Sequence, residues 1–387
     1  MIFEFDKFIG TRPYPNLAKH QAEPLTAEWR QFSQHWPFSE PPNLIEYFRD
    51  ESVDHSNQRN KYYLISISFF DFSIDWFSLL PKSRILEMQQ EKLHLMFFYS
   101  EGDNPVRMRE HLLSQCKLHN VPAHMLIIIS ANSASDQLPG CAWFADDELL
   151  FRKRNRKVTA LQYHENPRSK MFTSLVRTHK WWRATTMAEF WKRGWQPNGY
   201  FSYNTEVAVG EPEHENPIEV DCVNGLRSAM YDFLKNCPFK SDNLSSDQHN
   251  NHHLCVPEHY NDSYLNIVIE THMDVDQSSG VFLTEKTFKP IKHAQPFVIF
   301  GAAHSLARLR DLGYRVFDGV IDNSYDLIED TTQRWMKLVD ILDHMFSQGP
   351  DYMHQMLCCC QSDLLHNQQY FLSSKKDRLN NLLRKIG

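Results

Sequence analysis

The sequence predicts an α/β protein of two Rossmann-like lobes facing a central cleft, with helices at its C-terminus. Three observations carry that prediction. At 387 residues the chain is too long for one typical domain and suits two. Apolar runs of strand length alternate with segments of helical periodicity, which is the pattern of parallel sheets. The alternation runs through once, meets a charged stretch at 152–157 (RKRNRK), and starts again.

Residues 1–60 are Pro-rich, aromatic and without a motif. The first pass begins at 62–70 (YYLISISFF), whose continuous apolar character reads as a strand buried on both faces. A second strand follows at 93–99 (LHLMFFY). Val106, Met108, Leu112, Leu113 and Cys116 then recur at helical spacing over 105–119, and 125–129 (MLIII) completes a βαβ unit. The second pass opens with a strand at 171–176 (MFTSLV). A helix over 179–193 follows, with Trp182, Met187, Phe190 and Trp191 on its apolar side, then a helix over 217–236. Residues 238–262 are rich in His, Asn and Ser and read as a surface loop. A strand at 264–270 (YLNIVIE), a helix from Thr284, a strand at 296–300 (PFVIF) and a helix after Gly301 complete the lobe. Trp335, Leu338, Val339, Leu342 and Phe346 mark an amphipathic helix within 325–346, and 351–385 reads as helical.

Composition narrows the function. Hydrophobic residues make up 42% of the chain, enough for packed cores, and a net charge of −7 argues against a protein that coats nucleic acid. No apolar run reaches the ~18 residues of a membrane span, and the N-terminus lacks the apolar core of a signal peptide. Eight scattered cysteines, three of them adjacent at Cys358, Cys359 and Cys360, form no disulfide framework; reduced thiols in the cytoplasm are expected.

The most informative stretch is 281–301, VFLTEKTFKPIKHAQPFVIFG. Thr284 stands where an N-cap would, with Glu285 and Lys286 in the first turn. A helix N-terminus presents free N–H groups to a phosphate, Lys286 adds a full charge, and Glu285 could accept hydrogen bonds from vicinal hydroxyls. The trio therefore reads as a holder for a sugar nucleotide; it reads equally as an ordinary cap with an acid near the dipole. Upstream, 151–195 carries twelve Lys and Arg against two Glu. Most of that excess reads as a solvated face, but Arg177 follows a buried strand, where the crevice of an α/β lobe lies, and Lys180 and Arg183 sit on the next helix.

These residues resemble the donor-binding region of inverting glycosyltransferases of the α1,3-fucosyltransferase type. In that family a strand ends in Glu, a loop follows, Thr-Glu-Lys opens a helix, and a Pro leads a strand ending in Gly; the matching residues are Glu270, Thr284, Glu285, Lys286, Pro296 and Gly301. Where the family has Asn after the strand's Glu, this chain has Thr271. The continuation LARLRDLGYRVFDGVIDNSYDLIED, then Arg334-Trp335, is similar to glycosyltransferases of phages and bacteria, so the resemblance spans about 170–335. It implies a GT-B architecture. Residues 1–160 would form an acceptor-side lobe, 161–346 a lobe that binds the nucleoside-diphosphate sugar, and 347–387 a helical segment. The implied donor-binding residues are Arg177, Arg183, Glu270, Thr284, Glu285 and Lys286. The donor is a substrate, and no cofactor is implied.

Inverting transfer needs a carboxylate to deprotonate the acceptor hydroxyl. Glu101, in FFYSEGDNP just past an apolar strand, is the candidate; the family carries Gly-Glu where this chain has Glu-Gly. Glu101 also reads as a plain turn acid. Asp103 and the run Asp146-Asp147-Glu148 are the alternatives, the latter more naturally a solvated turn. His249, His252, His253, Cys255 and His259 match no zinc spacing, and Asp274 and Asp276 have no strand leading into them, so metal-independent chemistry is expected. The acceptor would be a glycan, small molecule or protein. Three rivals stay open: a DNA-base-modifying glycosyltransferase of phage type, a non-catalytic sugar-nucleotide-binding module, and a sugar-nucleotide epimerase or hydrolase on the same fold.

Overall fold

The computed structural model describes residues 2–4, 44, 47, 60–67, 70, 72–100, 102, 104–154, 163–205, 216–241, 255–273 and 280–386. The described strands are β1 (Ile2–Glu4), β2 (Lys61–Ile67), β3 (His94–Tyr99), β4 (Leu126–Ser130), β5 (Cys141–Trp143), β6 (Lys170–Val176), β7 (Gly199–Tyr203), β8 (Ser263–Ile269) and β9 (Phe297–Phe300). The described helices are α1 (Lys82–Gln89), α2 (Pro105–Leu118), α3 (Asp146–Arg154), α4 (Trp181–Lys192), α5 (Leu226–Asn236), α6 (Pro257–Asn261), α7 (Glu285–Lys292), α8 (Ser305–Asp311), α9 (Thr331–Ser347), α10 (Pro350–Cys359), α11 (Gln361–Leu372) and α12 (Lys376–Ile386). The protein is mixed α/β, and among the described residues no helix is long and apolar enough to cross a membrane.

The chain divides into two compact units. One holds 1–150, 276–282 and 374–387; the other holds 151–275 and 283–373. The division falls ten residues before the expected 160/161 boundary. The expected C-terminal segment is split, with α10 and α11 in the second unit and α12 in the first.

The first unit carries a parallel sheet in chain order, β1-β2-β3-β4-β5. Alternate residues serve its two faces. Tyr63, Ile65, Leu95, Phe97 and Ile128 pack with Met88 of α1 and Met108, Leu112 and Cys116 of α2. Tyr62, Leu64, Met96, Phe98 and Ile129 form the other face. Right-handed crossovers that all step the same way put their helices on one side of a sheet. The opposite face is covered instead by α12, through Leu379, Leu382, Leu383 and Ile386. Tyr62 fixes that return by donating to the Ile386 carbonyl at 2.9 Å.

The acidic run at 146–148 is not the solvated turn its composition suggests. It opens α3, and Glu148 is fully buried, paired with Arg378 and, at 3.5 Å, with Lys375. The Glu148 charge is taken up in docking the C-terminal segment, so Glu148 itself is engaged as framework.

Segment 280–282 is laced into the same unit. Ser133 donates its N–H to the Val281 carbonyl at 2.9 Å, and Val281 donates back to Ser133 Oγ at 2.8 Å. Gly280 has φ of +51°, and a Cβ there would lie 2.3 Å from the Ala134 nitrogen. A Cβ on Gly102 would fall 2.2 Å from the Phe282 ring, so both glycines are needed for close approach.

The second unit has a four-stranded parallel sheet of order β7-β6-β8-β9. The chain leaves β6 for β7 on one side and returns to β8 on the other. Such a reversal opens a crevice beyond the C-terminal ends of the two strands that flank it, β6 and β8. The first sheet has no reversal among its described strands. Among the described strands, the order of a doubly wound sheet with a switch point is found in the second unit.

Candidate functional site at the strand reversal

Every residue of β8 is buried, so the chain must dispose of the charge at its end, Glu270, which is 1% exposed. It does so with α7. Glu270 Oε1 accepts from the Thr284 N–H at 3.0 Å and the Thr287 hydroxyl at 2.6 Å. Oε2 accepts from the Thr284 hydroxyl at 2.6 Å and the Thr271 N–H at 3.1 Å. With four donors on it, the carboxylate is a staple between β8 and the start of α7.

Thr284 is likewise engaged. Its Oγ caps α7 by accepting from the Lys286 N–H at 3.3 Å and also accepts from Lys286 Nζ at 3.2 Å, while its own proton goes to Glu270. The predicted N-cap is therefore in place, and its hydroxyl is directed inward.

Arg183 of α4 reaches the same point. It is 3% exposed, donates to the Thr178 hydroxyl at 2.6 Å, and approaches the Glu270 carbonyl and Thr271 Oγ1, each at 3.4 Å. Lys286 Nζ meets that same Thr271 oxygen at 3.2 Å. Thr271 is thus where Arg183 and Lys286 converge.

Glu285 lies between cations. Its Oε1 is 3.3 Å from Lys286 Nζ and 3.9 Å from Lys289 Nζ. Arg177, directly after β6, belongs to the group: burial lowers its pKa, and the Glu285 carboxylate opposes that shift. Burial also lowers the pKa of Lys289; Glu285 opposes it, and Lys286 and Arg177 add to it.

The six donor-side residues named from the sequence therefore gather at the reversal, in three degrees of availability. Glu270 and Thr284 are taken up by the framework, and Arg183 braces it. Arg177, Glu285 and Lys286 form its charged face. Thr287 and Lys289 join them, and neither stands out in the sequence as a site residue. Lys289 was visible as the i+4 partner of Glu285.

Three other cations of the basic stretch are used internally. Arg168 donates to the carbonyls of Tyr260 and Ser263, and Lys192 and Arg193 pair with Glu189. Motif residues downstream are framework too. Asp326 caps α8 by accepting from the N–H groups of Leu306 and Ala307, and Tyr325 accepts from the Ile299 N–H. Arg334 ties Gly301, Ile328, Glu329 and Met273 together through their carbonyls, while Trp335 donates to Thr186.

Glu101 and Asp103 lie outside the described residues, as do Asp274, Asp276, His249, His252 and His253. Gly102, next to Glu101, accepts from Asn132 Nδ2 at 2.7 Å. Cys255 faces His293 Nε2 at 3.1 Å, and the His259 ring stacks on Tyr200 at 4.3 Å. Among the described residues no three His, Cys, Asp or Glu side chains gather as a metal-binding set.

No family model matches the chain, and no curated protein matches it. Among solved structures it is similar to the Candida albicans trehalose-6-phosphate phosphatase N-terminal domain. That similarity is 8% in sequence and covers 96% of this chain and 79% of that one, with a TM-score of 0.30. A similarity at that level carries no argument about fold or activity.

Proposed function

We propose that the chain is a glycosyltransferase that moves a sugar from a nucleoside-diphosphate sugar to an acceptor hydroxyl, with inversion and without a metal ion. The observation that carries this reading is the convergence of Arg183 and Lys286 on Thr271 at the strand reversal, beside the first turn of α7, with Arg177 directly after β6 and under the influence of the Glu285 charge. A leaving diphosphate gathers negative charge as its bond to the sugar breaks, and fixed cations at that point stabilise it more in the transition state than in the ground state. The resemblance of 170–335 to fucosyltransferase-type enzymes supports the same assignment.

The step is one displacement. The acceptor oxygen bonds to the anomeric carbon as its proton passes to a carboxylate, for which Glu101 is the candidate. The bond from that carbon to the diphosphate oxygen breaks, and its electron pair leaves with the nucleoside diphosphate. Arg177 and Lys286 hold the departing group; Arg183 and Glu270 keep Thr271 and the α7 N-terminus in position.

Lys286 gives the direct test. Lys286→Ala removes the most exposed cation of the α7 first turn, with 27% of its side chain exposed. Affinity for the nucleoside diphosphate should fall by roughly 1.5–3 kcal/mol, the scale of a hydrogen bond to a charged group. Calorimetry over a panel of nucleoside diphosphates and sugar nucleotides reads this, and unchanged affinity removes Lys286 from the site.

The metal-free mechanism has its own test. Release of nucleoside diphosphate from the donor should survive EDTA. Complete loss in EDTA, restored by Mg²⁺ or Mn²⁺, would overturn that mechanism and bring Asp274 and Asp276 into it.

A further inference from the structure

The charged face contains a lysine that the function above does not use. Lys289 lies one turn along α7 from Lys286, and the two ammonium groups share Glu285 Oε1. Only 15% of the Lys289 side chain is exposed, so its charge is held in a largely desolvated place with one close carboxylate. Lys286 and Arg177 both press on it with like charge. Arg177, Arg183, Lys286 and Lys289 stand against Glu270 and Glu285. That leaves an excess of two positive charges, matching the one negative charge on each phosphate of a sugar nucleotide.

We propose that Lys289 contacts the second of two linked phosphates, and that Glu285 is a counter-ion which holds Lys286 and Lys289 until the ligand arrives. The inference rests on the donor reading above and narrows it. A single phosphate within reach of Lys286 leaves Lys289 with Glu285; two linked phosphates engage both lysines. The site then selects diphosphates over monophosphates, and Glu285 acts through the lysines instead of through a sugar hydroxyl.

Inorganic pyrophosphate and inorganic phosphate are the probes, since neither depends on the base of the nucleotide. The full chain should bind pyrophosphate more tightly than phosphate in calorimetry. Lys289→Met keeps the apolar stem and drops the charge. It should weaken pyrophosphate binding by about tenfold or more, the effect of one lost charge-assisted contact, while phosphate affinity changes by less than about threefold. Lys289→Arg should keep the preference. Should Lys289→Met not fold, acetylation of the unmodified protein, read by mass spectrometry, gives the answer: pyrophosphate should slow acetylation of both Lys286 and Lys289. Equal pyrophosphate affinity in Lys289→Met, or protection of Lys286 alone, overturns the role of Lys289. If the unaltered chain binds sugar nucleotides in the same experiment, the donor reading survives that loss. If it binds neither pyrophosphate nor any sugar nucleotide, the donor reading itself falls.

Discussion

Glu270→Ala lowers folding stability by about 3–5 kcal/mol, and most of that loss appears without any ligand. The wild-type carboxylate accepts from the N–H groups of Thr271 and Thr284 and from the hydroxyls of Thr284 and Thr287. Alanine leaves those donors in a site that is 1% exposed in the wild type, and each buried donor without a partner costs roughly 1–3 kcal/mol. The hydroxyls can turn to other acceptors, which keeps the sum below the naive total. Glu270→Gln should lose less: it preserves the volume and one carbonyl acceptor, but its amide nitrogen faces donors. Chemical denaturation measures both variants. If Glu270 served instead to bind donor hydroxyls, Glu270→Ala would fold as stably as wild type and lose only ligand affinity. That outcome would return Glu270 to the ligand and undo the account of α7 as a helix stapled to β8.

The same residue shows what a single sequence reveals and what it withholds. Strands β2, β3, β4, β6, β8 and β9 were legible because strands buried in parallel sheets are continuous apolar runs. The three-residue β5 and the five-residue β7 were not. β5 is only partly buried and β7 opens on Gly199, so neither shows the continuous apolar run that marks the others. Thr284 was legible as an N-cap because capping is local. Its second role, donating to Glu270 fourteen residues back, depends on two elements meeting in space. The sequence therefore marks Glu270, Thr284, Glu285 and Lys286 alike as polar residues at a strand end and a helix start, and the hydrogen bonds separate framework from charged face. The cover of the first sheet by α12 was hidden for the same reason: Tyr62 and Ile386 are 324 positions apart. Polar runs mislead in the other direction. Asp146-Asp147-Glu148 has the composition of a solvated turn, yet Glu148 is buried because Lys375 and Arg378 come to it.

Glu101→Gln lowers turnover by about 10²–10⁴-fold, the usual contribution of a general base, while donor affinity stays within about twofold. Glutamine preserves size and hydrogen bonding but cannot take the acceptor proton, so the loss falls on the chemical step. Donor affinity is spared because the cations that would hold the diphosphate come from the end of β6 and from α4 and α7. The residue after Glu101 is closely held. Gly102 accepts from Asn132, and its Cα tolerates no side chain against Phe282. Release of nucleoside diphosphate in the presence of an acceptor panel reads turnover, and calorimetry reads the donor. Loss of turnover with intact affinity distinguishes an enzyme from a module that merely binds sugar nucleotides, since a module has no turnover to lose. Unchanged turnover excludes Glu101 as the base and passes the test to Asp103→Asn, the other carboxylate flanking Gly102. If both variants keep full turnover, the proton leaves by a route outside this loop, and the assignment of the first unit to acceptor chemistry fails while the cation site at the β6–β8 reversal stands.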